Sequence, residues 1–512
     1  MKSFVFIKNT VILTATSLIL RVVGMLFKIR IAAAIGSEGI GLYQLIMSVY
    51  VLTATFASTG ICTGVTKLVS ENRGLGRRGA NGILLPATVL TLVGSAVIGL
   101  TVYFSAPLIC RTLISDLRAQ TAVRLIALAL PFKGIAACVK GYFYARKNTL
   151  SPSLSQLFEQ GVRISVILLM ITLADSTEKQ MTALIVGDAS GEAASLLFIG
   201  IAYIKEMRRT EKGDRISGGV YRELLGVALP VTGSRYITSG LHTAESLLVP
   251  AQLTYFTADR AVSLSQYGML KGMALPALFF PAAFLSAMSV LLMPEISEAA
   301  AAGDRTRVRS VAERSVGITL VLSIPIATVF FSASRDIGLL LYGNAQVGTI
   351  IRMLSPIVPF MYLESAVDGM IKGLGQQKRS FWYNVLDSVL RIGLILVLVR
   401  KFGLFGFIAV MTASNILTSS LHTGRLLRVA DASLDIRNRI IKPLIGSALG
   451  GAIYAVISSR LSLPPLASVI LCGISVVLGF SASMLFLHGI DASLLPMKAL
   501  RRTSGDRKVT YR

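Results

Sequence analysis

About 20 consecutive apolar residues carry a helix across the hydrocarbon core of a bilayer, and this chain consists of about fourteen such runs with little between them. The runs are 8–34, 40–69, 82–109, 119–145, 151–173, 181–204, 222–248, 263–293, 310–334, 347–371, 381–399, 404–424, 443–460 and 464–487. In lipid every backbone polar group must be satisfied within the segment, so the reading is an all-α polytopic membrane protein with no inserted soluble domain. The breaks alternate in charge. Seven of them hold 28 Lys and Arg between them, while the other seven hold eight: Arg111, Arg118, Lys179, Arg260, Arg335, Arg400, Lys401 and Arg460. Basic loops stay in the cytoplasm, so the chain is expected in the cell membrane with both termini inside.

Composition excludes several classes. The chain is 53% hydrophobic, more than a soluble chain of 512 residues can hide. Its net charge of +25 raises the possibility of nucleic acid, but most of that charge sits in cytoplasmic loops, where it faces anionic head groups. Cys62, Cys110, Cys138 and Cys472 fall in or beside four different apolar segments. That pattern offers neither a metal site nor a disulfide framework. Arg21 interrupts the first run and no clean small-residue cleavage site follows, so it does not read as a signal peptide. Gly74-Leu-Gly-Arg-Arg-Gly79 matches the dinucleotide fingerprint in form only, since it follows a membrane span and opens no βαβ unit. No cofactor and no cluster of catalytic side chains is indicated, which argues against an enzyme.

An internal repeat lies at an offset of 228 residues. Pro131-Phe132 matches Pro359-Phe360, Val139-x-Gly141 matches Val367-x-Gly369, and Glu159-x-x-x-Arg163-Ile164 matches Asp387-x-x-x-Arg391-Ile392. The copies are six spans apart, an even number, so they share one orientation. Two parallel six-helix bundles follow, 1–215 and 216–430, with substrate expected at their interface. Spans 13 and 14 (431–490) and a basic cytoplasmic tail (491–512) lie outside the repeat.

A charge at mid-membrane costs about 2.5–3.5 kcal/mol on insertion scales and usually faces a cavity or a partner. Arg21 and Lys28 share a face of span 1, Arg235 lies near the middle of span 7, and Lys271 lies in span 8. These four are candidates to line one cationic, water-filled chamber; snorkelling to an interface is the alternative. Glu159/Arg163 and Asp387/Arg391 are acid-to-base pairs at i,i+4 and read as structural ion pairs bracing the same place in each bundle. Glu364 and Asp368 share a face of span 10, either as an ion site or as partners of neighbouring bases. His242 and Glu245 stand at i,i+3, a spacing used in metal sites, but lack further ligands. They read either as a hydrogen-bonded core pair or, with Glu364 and Asp368, as candidates for ion coupling.

Several runs together resemble the stage V sporulation protein B group, in the polysaccharide branch of the multidrug/oligosaccharidyl-lipid/polysaccharide (MOP) exporters. They are Arg21-x-x-Gly24, Ile35-Gly-Ser-Glu-Gly-Ile-Gly-Leu-Tyr-Gln44, Gly141-Tyr-Phe-Tyr-Ala-Arg-Lys-Asn148, Ser155-Gln-x-x-Glu-Gln160 with Arg163, Leu229-Pro-Val-Thr-Gly-Ser-Arg235, and Pro294-Glu-Ile-Ser-Glu298. The resemblance covers roughly residues 5–430. It implies a V-shaped two-lobed fold like that of the multidrug (MATE) exporters, a cationic central cavity and alternating access. It implies, too, a flippase for undecaprenyl-pyrophosphate-linked saccharides, such as peptidoglycan precursors of the spore cortex. The related lipid II flippases carry a first-helix arginine that matches Arg21. Their second arginine, one turn on, falls at Phe27 here, with Lys28 the nearest base. Their last two helices form an additional groove, which spans 13 and 14 would supply. Substrate, membrane lipids and cell-wall synthesis enzymes are the partners it implies.

Two rival functions share these features. A multidrug or organic-cation antiporter of the same fold would need Glu245, Glu364 or Asp368 as its substrate site. A non-transporting cell-wall scaffold would find its intramembrane charges dispensable. The topology itself is testable. Cysteines placed at Ser37 and Gly343 should label from outside, and those at Gly76 and Gly303 only after permeabilisation; the reverse pattern would overturn the span assignment.

Overall fold

The structure, a computed structural model, describes residues 2–74, 81–209 and 220–486. Parts of three basic breaks (75–80, 210–219 and 487–512), with the expected bundle boundary at 215/216 and the expected tail 491–512, lie outside the described residues. All regular structure among the described residues is helical. In chain order the first helices are α1 (Lys2–Gly74), α2 (Asn81–Ile109), α3 (Gln120–Ala145), α4 (Leu150–Ile171), α5 (Thr177–Arg209) and α6 (Val220–Thr257). Next come α7 (Arg260–Tyr267), α8 (Leu275–Phe279), α9 (Ala282–Ala301), α10 (Arg305–Ser332), α11 (Ser334–Tyr342) and α12 (Ala345–Leu354). The last are α13 (Val358–Gly373), α14 (Gln377–Leu394), α15 (Arg400–Val429), α16 (Lys442–Arg460) and α17 (Pro465–Phe486).

Among the described residues, nine segments are long and apolar enough to cross a membrane by length and composition. One of them, Gln377–Val429, has 53 residues and bends at Gly403, which is length enough for two passages. The first two expected spans are likewise one bent element. α1 turns at Gly36, where φ is 71° and ψ is 178°, backbone that glycine adopts without strain. One break proved more ordered than a loop. Residues 335–346 form the break between two expected spans, and α11 occupies most of them. It folds back on α12 through a left-handed turn at Gly343, and the Asn344 side chain caps α12 by accepting from the Gln346 amide at 2.8 Å. A nine-residue helix is too short to register as a span.

Packing divides the chain into two compact units: the described residues of 1–283 with 381–414, and those of 284–380 with 415–512. In the first unit α2 lies on α3, α4 on α5, and α1 against α3 and α6. In the second, α10 packs on α13 and α16, and α16 on α17. Helices in lipid gain nothing from burying apolar surface against each other, so close approach depends on small residues. α16 and α17 meet at Gly446, Gly450 and Gly479, where an added Cβ would run into the backbone of the facing helix.

The repeat has a physical seam inside the first unit. Ser37 and Ser265 are 228 residues apart, and their hydroxyls are hydrogen-bonded at 2.6 Å. Beside them Gly41 lies against the Leu264 carbonyl, and Gly268 against the Ser37 carbonyl and the Gly41 amide nitrogen. Gly272, the repeat mate of Gln44, faces Ile40 and Gln44. A residue touches its own repeat mate only where the axis relating the two copies passes between them. The contacts advance in the same direction on both strands of the seam, from 37 with 265 to 44 with 272, so these segments run parallel, as a repeat with one orientation requires.

Two substitutions test the seam. Ser37→Cys combined with Ser265→Cys should form a disulfide under mild oxidation, since the side-chain oxygens already sit within contact distance. Gly268→Leu should destabilise the protein by at least the ~1–3 kcal/mol typical of overpacking, read as a lower Tm in detergent. A double-cysteine variant that stays uncrosslinked would refute the seam.

Candidate functional site

The four basic residues expected in a central chamber all belong to the first unit. Arg21 and Lys28 are exposed on the first leg of α1, and Arg235 is exposed on α6. Lys271 is half-buried on the widened helical segment Gly268–Ala274, which directly follows α7. Leu20, the neighbour of Arg21, lines a cavity of about 350 Å³. Its charged lining comes from α3, α4 and α5: Lys133, Lys140, Glu159, Arg163 and Glu192. Among the described residues, neither Lys28 nor Arg235 takes part in an ion pair.

The acids, by contrast, are engaged. Arg163 on α4 pairs with Glu159 at 2.8 Å and with the buried Asp188 of α5 at 2.9 Å. Tyr43 donates to the second oxygen of Asp188 at 3.0 Å, and Lys140 lies 3.4 Å from Glu159. One turn along α5, buried Glu192 accepts from Lys133 at 2.7 Å and from Tyr50 at 2.9 Å. Lys133 stands over the Tyr50 ring, 4.6 Å from its centroid. Three cations and three carboxylates thus meet around one cavity, and their charges cancel. A buried charge left unpaired is strongly destabilising, so such a cluster holds its helices in register.

The second copy of the repeat builds a comparable centre. Arg391 pairs with Asp387 at 2.7 Å and with buried Glu245 at 3.2 Å, and it donates to Ser414 at 2.6 Å. Ser414 in turn donates to Asp387. Lys271 acts electrostatically on both Glu245 and Arg391, and it is the repeat mate of Tyr43, which borders the Arg163 centre. His242 approaches Glu245 at 3.7 Å from the exposed side of α6. Glu245 is therefore a member of an ionic centre. In the second unit Asp368 pairs with Lys372, one turn on, and accepts from Ser380 at 2.6 Å. Glu364 is half-buried on the same helix, α13. Among the described residues, no group of three or more His, Cys, Asp or Glu gathers to hold a metal ion.

Sequence reasoning found both i,i+4 pairs, and Lys133 as a charge near the middle of span 4, but missed the pairs' third partners, Asp188 and Glu245, and the Glu192 and Tyr50 that meet Lys133. A signal for part of this was available. Asp188 and Glu192 are two acids at i,i+4 inside an apolar run, a placement the cost of intramembrane charge marks as paired or functional.

Known proteins share this plan. Residues 6–300 match a family model described as "Polysaccharide biosynthesis protein", and 261–397 match the MatE model. Stage V sporulation protein B of Bacillus subtilis (strain 168) is 25% identical over 442 residues, covering 84% of this chain and 85% of that protein. Lipid II flippase MurJ of the same organism is 21% identical over 431 residues, covering 77% of each. Among solved structures, a lipid II flippase MurJ in an inward closed conformation superposes with a TM-score of 0.72 at 16% identity, covering 93% of this chain and 99% of that one. An inward-facing MATE family transporter of the MOP superfamily reaches 0.63 at 14% identity, with 82% and 98% covered. At these identities the two structures establish the fold: all-α, polytopic, of the MOP type.

The ionic centres make a stability prediction. Arg391→Ala leaves Glu245 and Asp387 buried without their cation and should cost about 3–5 kcal/mol, seen as a markedly lower Tm in detergent. Removing both Glu245 and Arg391 by Glu245→Gln with Arg391→Met should cost less than Arg391→Ala alone. Equal losses for the two variants would show that no charge-pairing term is present.

Proposed function

Because this chain belongs to the polysaccharide biosynthesis protein family, a family of multi-pass membrane transporters and flippases, we propose that it translocates undecaprenyl-pyrophosphate-linked saccharides, with peptidoglycan precursor for the spore cortex as the fitting cargo. In this reading the cell membrane is its site, both termini are cytoplasmic, and the repeat bundles 1–215 and 216–430 alternate access. Residues 431–490 add a further helix pair. The observation that carries the proposal is the imbalance of charge. The acids of the first unit's interior are neutralised within the Arg163, Lys133 and Arg391 centres, while Lys28 and Arg235, exposed on α1 and α6, join no ion pair among the described residues. Such an interior attracts an anion and repels a cation.

The chemistry of the cargo fits. A pyrophosphate head group is a multiply charged anion that hydrocarbon excludes. A guanidinium holds phosphate oxygens through two parallel hydrogen bonds, whereas an ammonium acts as a point charge. Arg21 and Arg235 are assigned the pyrophosphate, Lys28 and Lys271 the supporting field. An organic cation would need an available carboxylate, and Glu245 and Asp368 are already bonded to Arg391 and Lys372. Stage V sporulation protein B and MurJ, as relatives, support the class of cargo.

Reconstitution into vesicles with a defined lipid-linked saccharide tests this, flipping being read by accessibility to an impermeant reagent. Arg21→Ala and Arg235→Ala should each lower the rate by about tenfold or more, the worth of a charge-assisted hydrogen-bond pair, in protein that remains folded and inserted. Arg21→Lys should be impaired in part, since it keeps charge and loses the fork. If both alanine variants flip at the unmodified rate while Glu245→Gln or Glu364→Gln is inactive in a folded protein, the cation antiporter replaces this reading. Absence of flipping by the unmodified protein would leave the scaffold.

A further inference from the structure

The cavity of about 350 Å³ in the first unit has a chemical character that its ion pairs alone do not explain. Eight of its ten lining residues carry polar side chains, with Leu20 and Ala137 the apolar exceptions, so it does not suit a lipid tail. The three cations and three carboxylates around it cancel, so it offers no net field to a second anion or to a cation.

What the chamber does offer is unused hydrogen-bonding capacity. Gln156 and Gln160 both line it, one turn apart on the same face of α4. Among the described residues Gln156 makes no hydrogen bond. The Gln160 oxygen accepts from Arg163 at 3.3 Å, which leaves its amide N–H groups available. Lys133 has three N–H bonds and uses two, on Glu192 and on the Tyr50 oxygen, and Lys140 uses one, on Glu159. Both glutamines and both lysines are half-buried, so they are reachable from the cavity.

The chamber also adjoins the cation assigned to the pyrophosphate. Leu20 precedes Arg21, and Gly24 lies three residues beyond it on the same side of α1. A Cβ placed on Gly24 would stand 3.9 Å from the Gln160 amide nitrogen. α4 therefore presents an amide to the turn of α1 that carries Arg21.

We propose that this chamber reads the saccharide unit next to the pyrophosphate, with Gln156 and Gln160 as specificity-determining residues. The inference rests on the cargo class proposed above and concerns the part of the cargo that the arginines do not hold. An uncharged sugar suits a chamber without net charge. Its hydroxyls, and the carbonyl of an N-acyl group, accept from the available N–H groups of Gln160, Lys133 and Lys140, while Gln156 can donate and accept at once. The volume lies at the lower end of the roughly 300–1,000 Å³ of small-ligand sites, which is room for a sugar unit and not for a long glycan.

The test is binding of two probes to the purified full chain in detergent: undecaprenyl pyrophosphate, and the same lipid bearing one N-acetylhexosamine. The glycosylated probe should bind about tenfold more tightly, as two neutral hydrogen bonds provide. Gln156→Met with Gln160→Met should abolish that preference and leave the affinity for undecaprenyl pyrophosphate unchanged. Gln156→Met alone, at a side chain with no bond to lose, should reduce the preference to about threefold. Arg21→Ala should weaken both probes alike. Equal binding of the two probes by the unmodified protein would mean that the chamber holds water only, and a tenfold preference retained by the glutamine variants would put sugar recognition elsewhere. Either result overturns the proposal. So does loss of both probes by a double variant of unchanged Tm, which would make the glutamines part of the pyrophosphate site. If the unmodified protein binds neither probe, the cargo class itself is rejected, and the proposal with it.

Discussion

A guanidinium inside a membrane protein must find carboxylates, and much of this architecture follows from that requirement. Arg163 and Arg391 occupy equivalent places in the two copies of the repeat, and each gathers one acid from its own helix and one from another. The i,i+4 acid alone would neutralise the charge. The second acid crosslinks helices: Asp188 ties α5 to α4, and Glu245 ties α6 to α14. Because a half-broken buried pair costs more than the intact pair gains, these centres reward one register of their helices and penalise others.

Where charges do not hold helices together, small residues do. The seam at Ser37, Gly41, Ser265 and Gly268 contains almost no side-chain volume, and backbone meets backbone there with one hydroxyl pair between. Repeat mates that meet face to face need such a place, because a bulky residue there collides with its own mate. The bend at Gly36 serves the same geometry by delivering the second leg of α1 to the seam immediately after the turn. Conformational freedom at one glycine and close approach at two others are thus parts of one device.

The fold was legible because a bilayer leaves few options: run length, loop charge and the 228-residue offset name an all-α polytopic chain with a parallel repeat. The i,i+4 pairs were legible for the same reason, since helical geometry alone brings residues four apart together. What sequence could not supply is contact between helices distant in the chain. Glu245 looked like a partner of His242 or a coupling acid because its spacing to His242 is local, whereas its arginine lies 146 residues away. Asp368 left two readings open, and the structure brings it to Lys372 and Ser380. The Asp336–Tyr454–Ser468 triad joins three helices, with no local spacing to betray it.

The two copies have also diverged in a way that bears on charge. Position 43 of the first is a tyrosine that donates to Asp188, and its mate at 271 is a lysine near Glu245 and Arg391. The first copy adds Lys133 with Glu192, a cation and an acid together, so its centre stays neutral. In the second copy Lys271 offsets the additional acid that α6 contributes. Each copy therefore reaches neutrality by a different inventory, and neither draws on Lys28 or Arg235 to do so. Cations that structural neutrality does not require are retained against a real insertion cost. The proposed anionic cargo would give that cost a purpose, since the field it would cross is set by residues the ionic centres do not use.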